Sequence, residues 1–325
     1  FVDGLLWTRD GSKSEGMDPK TGEIVRTVDV GTGHCFPPVA TEKFMIAGEM
    51  HFTDLQSGTV DAQRISKGTC DRATGFVPAN GLVYVAPKNC VCWPMLKGFV
   101  ALAPERPGGS NVRHVSKHPR AEVADVGAVG APAGKARSGQ WPCYRGDSRR
   151  SGSASTELPI VFETKWESPF DTPRSRFLDE DRGHNPFVRG AVTPPVVADG
   201  RVVVARPEAH AVLAIDASDG ATLWQFTADG RVDTPPTLWR GLCLFGTRSG
   251  FAYCLRADTG KLVWRIQLAP ADERIVAFGQ TESPWPVSGS VLVVGEMAFF
   301  AAGRQYLAEG GVRVFAVEPL SGAVR

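Results

Sequence analysis

Short apolar runs alternate with turn residues along most of the chain. Pro194–Ala198 is followed by an Asp-Gly turn and the run Arg201–Ala205, and Ala211–Ile215 comes next. Runs of this length, bounded by Gly, Asp and Pro, are typical of β-strands rather than of helices. The pattern therefore predicts antiparallel strands joined by tight turns.

A six-residue turn that ends in glycine follows several of these runs. It stands at Met17–Gly22, Thr53–Gly58, Ile215–Gly220, Leu255–Gly260 and Val317–Gly322. Trp224 and Trp264 each follow their turn glycine by four residues, and the glycines of these two turns are 40 residues apart. Four strands per unit of about 40 residues is typical of β-propeller blades. The inner strands of the last three units are predicted at residues 194–198, 235–239 and 288–294.

The pattern Ala-x-Asp-x-x-Thr-Gly-x-x-x-Trp resembles the repeat of the PQQ-like, or quinoprotein-dehydrogenase-like, β-propellers. Trp141–Gly152, Pro78–Tyr84, Gly98–Pro104 and Phe278–Val287 are similar to segments of the PQQ-binding-like repeat proteins abundant in planctomycetes. The resemblance spans nearly the whole chain. It implies an all-β propeller of four-stranded antiparallel blades, with about six blades in residues 1–325 as part of a seven- or eight-bladed ring.

Both ends and two insertions depart from the repeat. The first repeat lacks its inner strand and begins near Gly4–Trp7. The sixth repeat stops at Ala323–Arg325, where its fourth strand should start. Because an unpaired edge strand attracts other strands, we expect further blades of the same polypeptide or a protein partner at these edges. Residues 105–159 are expected to form an inserted loop, and residues 171–190 an extended loop.

Blade geometry sorts the loops into two faces. With strands labelled A to D from the inside outward, the D–A connections and B–C turns share one face, here called the D–A face, opposite the A–B and C–D turns. Charged and aromatic residues of the D–A face form a candidate ligand-binding funnel: Arg231, Asp233, Arg274, Glu282 and Trp285. The alternative is that these residues only stiffen the blade entrances through hydrogen bonds.

A second candidate cluster on the D–A face contains four of the seven cysteines. Its members are His34, Cys35, Cys70, Cys90 and Cys92. Two structural disulfides, a zinc or copper(I) site with thiolate and imidazole ligands, and free thiols are all compatible with this spacing. Cys143, Cys243 and Cys254 are interpreted as small buried thiols.

Charge and hydrophobicity limit the classes of partner. Lys+Arg 36 against Asp+Glu 35 gives a formal charge of +1, so no overall field favours nucleic acid or an anionic membrane. No apolar run approaches the ~20 residues that span a bilayer. The chain starts at Phe1 without a basic-then-apolar leader, so we expect a signal peptide to be absent or removed.

Three functions follow from the resemblance and the cysteines. A PQQ-dependent dehydrogenase with calcium or a lanthanide would carry a vicinal Cys-Cys pair beside the quinone, and this chain has no such dipeptide. A Cys/His metal-binding redox propeller is the second. We expect the third, a non-catalytic binding or assembly scaffold in the periplasm or outside the cell, comparable in kind to the lipoprotein scaffold of the outer-membrane barrel-insertion machinery.

Thiol counting distinguishes the three states of the cysteine cluster. Two disulfides would release four additional thiols on reduction of the denatured chain, and such bonds would indicate an oxidising compartment. A metal site would release an ion on denaturation and no new thiols on reduction. Seven titratable thiols before reduction, with no ion released, would contradict both readings.

Overall fold

The computed structural model describes residues 1–31, 38–63, 65–66, 75–86, 100–104, 120–123, 139–154, 156–170, 191–277, 280–304 and 310–325. The chain divides into two compact units. One unit comprises Phe1–Asn111, Ile275–Gln280 and Gln305–Gly311, and the other comprises Val112–Arg274, Thr281–Arg304 and Val312–Arg325. We refer to them as the first and the second unit.

The first unit contains three antiparallel sheets whose strands keep their chain order. The first sheet is β1 (Leu6–Asp10), β2 (Lys13–Met17) and β3 (Ile24–Asp29). The second is β4 (Val39–Ala40), β5 (Phe44–Ala47), β6 (His51–Asp54) and β7 (Val60–Ala62). The third is β8 (Phe76–Ala79), β9 (Leu82–Val85) and β10 (Val100–Leu102).

The second unit also contains three meandering sheets. The fourth sheet of the chain is β12 (Val196–Ala198), β13 (Arg201–Arg206), β14 (Ala211–Asp216) and β15 (Thr222–Thr227), with a 3-10 turn at Pro207–Ala209. The fifth contains β16 (Thr237–Trp239), β17 (Leu242–Gly246), β18 (Phe251–Arg256) and β19 (Leu262–Gln267), with β11 (Arg120–Val123) on its outer edge. The sixth is β22 (Leu292–Val294), β23 (Met297–Ala302) and β24 (Arg313–Val317). A separate two-stranded sheet pairs β20 (Ile275–Ala277) with β21 (Gln280–Glu282).

These six sheets are the blades of an all-β propeller fold, and they confirm the predicted fold class. The inner strands β12, β16 and β22 lie inside the predicted ranges but are shorter. Pro194 and Pro195 precede β12, and Pro235 and Pro236 precede β16. Proline has no N–H to donate to a strand ladder, so pairing starts only after these residues. The fourth strand of the sixth blade begins at its predicted place, where Val324 bridges to Val317.

The insertion after the third blade contributes structure that the sequence pattern did not predict. Arg120–Val123, in the segment expected to be a loop, pairs antiparallel with β19. Further along, Trp141 exchanges two backbone hydrogen bonds of 2.8 Å with Val197 of β12, and Leu238 of β16 donates to the carbonyl of Pro142 at 2.7 Å. The Trp141 segment therefore crosses the inner strands of two adjacent blades. None of residues 171–190 is described in the structure. The extended loop predicted there therefore lies outside the described residues.

The core of the second unit lies between successive blades. One buried cluster joins the fourth and fifth blades and includes Trp224, Phe245 and Tyr253. A second cluster joins the fifth and sixth blades and includes Trp264 and Phe300. Trp264 is fully buried. Blade-to-blade packing, rather than the centre of any one sheet, therefore provides most of the apolar burial in this unit.

One contact is repeated at three blade junctions. An indole N–H donates to a backbone carbonyl in the C–D turn of the fourth, fifth and sixth blades. Trp224 and Trp264, on the outer strands β15 and β19, donate to Ala257 at 3.0 Å and to Pro319 at 2.8 Å, and Trp166, from the irregular segment before the fourth blade, donates to Ala217 at 3.1 Å. The rings lie directly against the turn glycines. A Cβ built at Gly220 would meet Trp166 at 2.7 Å, and one at Gly260 would meet Trp224 at 2.6 Å. These glycines are therefore required both by their positive φ and by the close approach of the ring.

We expect Trp264→Ala to lower the free energy of unfolding of the second unit by about 3–5 kcal/mol, because it removes a fully buried ring and leaves a cavity. Leu223→Ala is the matched control, since Leu223 is exposed on the outer strand β15 and should change stability by less than about 0.5 kcal/mol. Urea unfolding followed by tryptophan fluorescence and by circular dichroism measures both. Equal losses in the two variants would contradict the role assigned to the junction indole.

Candidate functional site

Six charged side chains of alternating sign form a continuous chain on the D–A face of the second unit. Their order is Glu208, Arg231, Asp233, Arg248, Glu282 and Arg304. Each side chain is at most 9% exposed. The chain extends across the fourth, fifth and sixth blades, and three positive charges stand against three negative ones. We call it the ion chain.

Asp233 and Arg248 form the centre of the ion chain. Arg231 Nε donates to Asp233 Oδ1 at 3.0 Å, and Arg248 Nε donates to Asp233 Oδ2 at 2.5 Å. One carboxylate thus bridges two guanidinium groups. On the other side Arg248 Nη1 lies 3.4 Å from Glu282 Oε2, and Arg304 Nη2 lies 2.8 Å from Glu282 Oε1. The contact between Arg231 and Glu208 is looser, at 3.8 Å.

The blade repeat positions these groups. Glu208, Arg248 and Arg304 each stand two residues beyond the end of their B strand, β13, β17 or β23. Arg231, Asp233 and Glu282 come from D–A connections. Their contacts confirm that B–C turns and D–A connections share a face, as blade geometry predicted. The D–A members were predicted from the sequence, whereas the B–C members were not, although their repeated position was a usable signal.

Backbone hydrogen bonds hold the central turn against both neighbouring connections. The N–H of Arg248 donates to the carbonyl of Arg231 at 2.9 Å, and the carbonyl of Arg248 accepts from the N–H of Ser283 at 2.8 Å. Arg304 Nη2 also donates to the carbonyl of Ser283 at 3.3 Å. The side-chain pairs are therefore built on a fixed backbone frame.

Burial and ion pairing act in opposite directions on the acid at the centre. Burial alone would raise the pKa of Asp233, but the guanidinium groups of Arg248 and Arg231 outweigh it and lower that pKa below its usual value. Burial likewise opposes the charge of Arg248, while Asp233 and Glu282 raise its pKa. At Arg304 burial prevails and lowers the pKa. Asp233 is thus held ionised at neutral pH.

The five predicted funnel residues do not share one environment. Arg231, Asp233 and Glu282 belong to the ion chain. Trp285 is buried, and its backbone N–H donates to Ser283 Oγ at 3.1 Å. Arg274 is the exposed member. Its Nη1 donates to the carbonyl of Ser249 at 2.9 Å, and its Nη2 lies 3.0 Å from Asp272. A ligand-binding role for these five residues stays a prediction.

A second polar cluster holds the turn that Arg274 contacts. Asp229 accepts hydrogen bonds from Thr247 Oγ1 at 3.1 Å and from Ser249 Oγ, and it pairs with Arg265 at 2.6 Å. The Arg265 guanidinium carbon lies 3.7 Å from the centre of the Phe251 ring, a cation–π contact. The B–C turn of the fifth blade is therefore fixed from both sides.

The predicted cysteine cluster, His34, Cys35, Cys70, Cys90 and Cys92, lies outside the described residues. The other three cysteines, Cys143, Cys243 and Cys254, are buried and unbridged, which confirms their interpretation as small buried thiols. Burial raises the pKa of all three thiols. These three are therefore neutral thiols at physiological pH and poor nucleophiles.

The carboxylates of the ion chain are already paired with arginines and are not free to hold the cation of a quinone cofactor. Calcium needs six to eight oxygen ligands, several of them free carboxylates. On the D–A face of the second unit, Glu208, Asp233 and Glu282 each have at least one arginine at ion-pair distance. Among the described residues, no group of three or more His, Cys, Asp and Glu could hold a metal ion.

Repeated four-stranded blades, junction indoles and glycine turns define a propeller of the PQQ-like repeat class. The family model described as outer membrane protein assembly factor BamB matches residues 163–325, half of the chain. The chain belongs to this family of PQQ-like repeat propellers. Within the described residues, no helix has the length and hydrophobicity of a membrane span.

Individual relatives fall into two groups. The dehydrogenase subunit of a quinone alcohol dehydrogenase from Acetobacter aceti is 32% identical over 142 residues, which cover 40% of this chain and 18% of that protein. Outer membrane protein assembly factor BamB from Yersinia pestis is 24% identical over 173 residues, 52% of this chain and 42% of that protein. A solved quinohemoprotein alcohol dehydrogenase from Pseudomonas putida has a TM-score of 0.42 and 19% identity, covering 57% of this chain and 26% of that one. The matches thus cover less than a fifth of the Acetobacter aceti dehydrogenase subunit and less than half of the Yersinia pestis assembly factor.

The ion chain predicts a specific dependence of stability on pH. Because the pKa of Asp233 is lower in the folded than in the unfolded chain, its contribution is present above the unfolded value of about 4 and is lost as pH falls through the folded value. At pH 7, Asp233→Asn should lower the free energy of unfolding by about 3–5 kcal/mol, since it leaves buried guanidinium groups uncompensated. Urea unfolding between pH 7 and 3 should show this difference shrinking at acid pH.

Asp258→Asn is the matched control for Asp233→Asn. Asp258 also pairs with an arginine, Arg256, at 2.6 Å, but on an exposed turn. Exposed pairs contribute about 0–1 kcal/mol, so this variant should stay close to wild type at every pH. A pH-independent loss in Asp233→Asn, or an equal loss in both variants, would contradict the electrostatic account of the ion chain.

Proposed function

We propose that this propeller is a non-catalytic scaffold that binds or assembles other proteins, exported to the periplasm or the cell exterior. The observation that carries the proposal is the internal neutrality of the ion chain. Three arginines and three carboxylates on the D–A face are buried and paired with one another. Charged groups in an active site must instead be available to the substrate or cofactor.

A rigid, neutralised face suits recognition of a preformed protein surface. Interfaces commonly combine buried anchors with a polar rim, and arginine is enriched in them. Arg274 extends from the buried frame into solvent, held by Asp272 and by the carbonyl of Ser249. Similarity to the assembly factor BamB supports the same reading.

The second candidate is a PQQ-dependent dehydrogenase-like oxidoreductase. The similarity to quinone alcohol dehydrogenase subunits favours it, since the match is 32% identical over 142 residues. Against it stand the lack of a Cys-Cys dipeptide in the chain and the pairing of every carboxylate in the ion chain. No step of a quinone reaction is assigned to the described residues.

Cofactor addition separates the two candidates. The full chain, mixed with PQQ and calcium and then with a primary alcohol and a dye acceptor, should show no shift of the quinone absorption and no alcohol-dependent dye reduction. A shifted quinone spectrum together with dye reduction would establish the dehydrogenase and overturn the scaffold proposal.

Site-specific photo-crosslinking tests partner binding directly. A benzophenone amino acid at position 274 should crosslink to a discrete partner protein in the periplasmic or secreted fraction of the producing cells. The control position is Lys261, which is exposed next to a C–D turn on the opposite face. Equal crosslinking from both positions, or none from position 274, would contradict a binding role for the D–A face, and recovery of the chain only in the cytoplasm would contradict export.

A further inference from the structure

The two blade junctions of the first unit lack the aromatic group found at the junctions described above. The indoles of Trp166, Trp224 and Trp264 each donate to a carbonyl of the following C–D turn. Between the first and second blades Arg26 replaces the indole, and its Nη1 donates to the carbonyl of Leu55 at 2.9 Å. The junction between the second and third blades has a different residue at this place.

Strand register identifies that residue as Asp61. Trp224 lies opposite Ala214, and Ala214 stands two residues before Asp216 of the glycine turn. Asp61 lies opposite Phe52, two residues before the equivalent Asp54. In β15, as in β3 and β19, a register shift adds one residue before this position, and β7 pairs without such a shift.

Asp61 does not fill the junction. Its strand β7 is exposed at every position, and Asp61 Oδ2 accepts a hydrogen bond at 2.6 Å from Gln63, the residue after β7. Asp61 nevertheless points to the same side of the sheet as Phe52, because directly opposed residues of an antiparallel pair share a face.

Strand register also identifies the counterpart of the acceptor residue at this junction. Ile215 pairs with the second residue of the B strand of the fourth blade, and Leu102 pairs with the second residue of the B strand of the third. The two residues therefore occupy equivalent positions in their blades. Two residues after Ile215 is Ala217, whose carbonyl accepts from an indole. Two residues after Leu102 is Pro104, which is therefore the counterpart of Ala217 by register.

A cavity of about 790 Å³ is lined by residues of the second and third blades, within the first unit. Its described lining includes Phe44, Phe52, Gln63, Leu82, Leu102 and Pro104. Phe44 and Phe52 pack edge to face, with ring centres 5.9 Å apart. Ligand sites have similar volumes and a similar combination of apolar walls with a few polar groups.

We propose that this cavity binds the indole ring of a tryptophan side chain carried by a partner polypeptide. The chain itself shows which group fits, since an indole occupies the equivalent place at three other junctions. Phe44 and Phe52 offer ring faces and edges to an aromatic group, and the carbonyl of Pro104 accepts the indole N–H. The volume exceeds that of one indole and leaves room for the flanking backbone. The proposal names the partner chemistry of the scaffold function and rests on that function.

The first test uses a fluorinated tryptophan amide, N-acetyl-5-fluorotryptophanamide, and the full chain. Its fluorine resonance should broaden and shift on addition of the protein. The 1-methyl analogue cannot donate the hydrogen bond and should bind about threefold to tenfold more weakly. No binding of the amide, or equal binding of both compounds, would overturn the proposal.

Asp61→Trp places an indole in the cavity from within the chain. It should raise the melting temperature of the first unit and weaken binding of the amide at least tenfold. Val60→Trp is the matched control, because neighbouring strand residues point to opposite faces, and it should bind like wild type. Leu82→Glu, which puts a charge into the cavity wall, should weaken binding at least tenfold as an independent check if Asp61→Trp fails to fold. Unchanged binding in Asp61→Trp and Leu82→Glu would overturn the site.

Competition distinguishes the source of the indole. The peptide Gly-Ser-Trp-Ser-Gly should displace the fluorinated amide at lower concentration than free indole does. Stronger displacement by free indole would overturn the polypeptide proposal in favour of a small-molecule site. This test is separate from that of the scaffold function, since loss of amide binding with intact crosslinking at position 274 would reject only the cavity.

Discussion

The contact on which the second unit depends is the indole that packs against the C–D turn of each of its blades. Each ring donates to the same carbonyl of the C–D turn that it contacts, and the distances stay between 2.8 and 3.1 Å at all three places. The free energy gained by burying the ring does not depend on the orientation of the ring, whereas its N–H donates to one acceptor. The junction therefore fixes the spacing of the blades as well as stabilising their packing. It also explains why glycine stands opposite the ring, where any Cβ would collide.

Blade spacing in turn makes the ion chain possible. Six buried charges would be costly if any of them lost its partner, since a buried ion without a counter-ion destabilises a fold by several kcal/mol. The chain Glu208 to Arg304 takes its members alternately from B–C turns and D–A connections of three blades. A shift of one blade would separate several pairs at once. We infer that the ion chain selects one arrangement of the blades, while apolar packing provides most of the stability.

The sequence predicted the elements whose signals are local. Turn glycines, short apolar runs and the offset of Trp224 and Trp264 placed the inner strands and the blade order. The strand Arg120–Val123 was missed, because its pairing with β19 is decided by a distant strand edge and not by its own polar sequence. Arg248 was missed because a charged residue in a turn is usually solvated, and its burial depends on two loops far away in sequence.

Register is the other property that local sequence did not supply, and it matters most for the candidate binding cavity. An offset counted from the turn glycine selects Ala62 as the counterpart of Trp224, whereas strand pairing selects Asp61, because β7 lacks the one-residue bulge of β15. A bulge moves every following side chain to the other face of the strand. The absence of one residue therefore turns a filled junction into an open one. In a repeat fold, where neighbouring units otherwise satisfy one another, such a departure is where apolar walls and a backbone acceptor are left available to a group from outside.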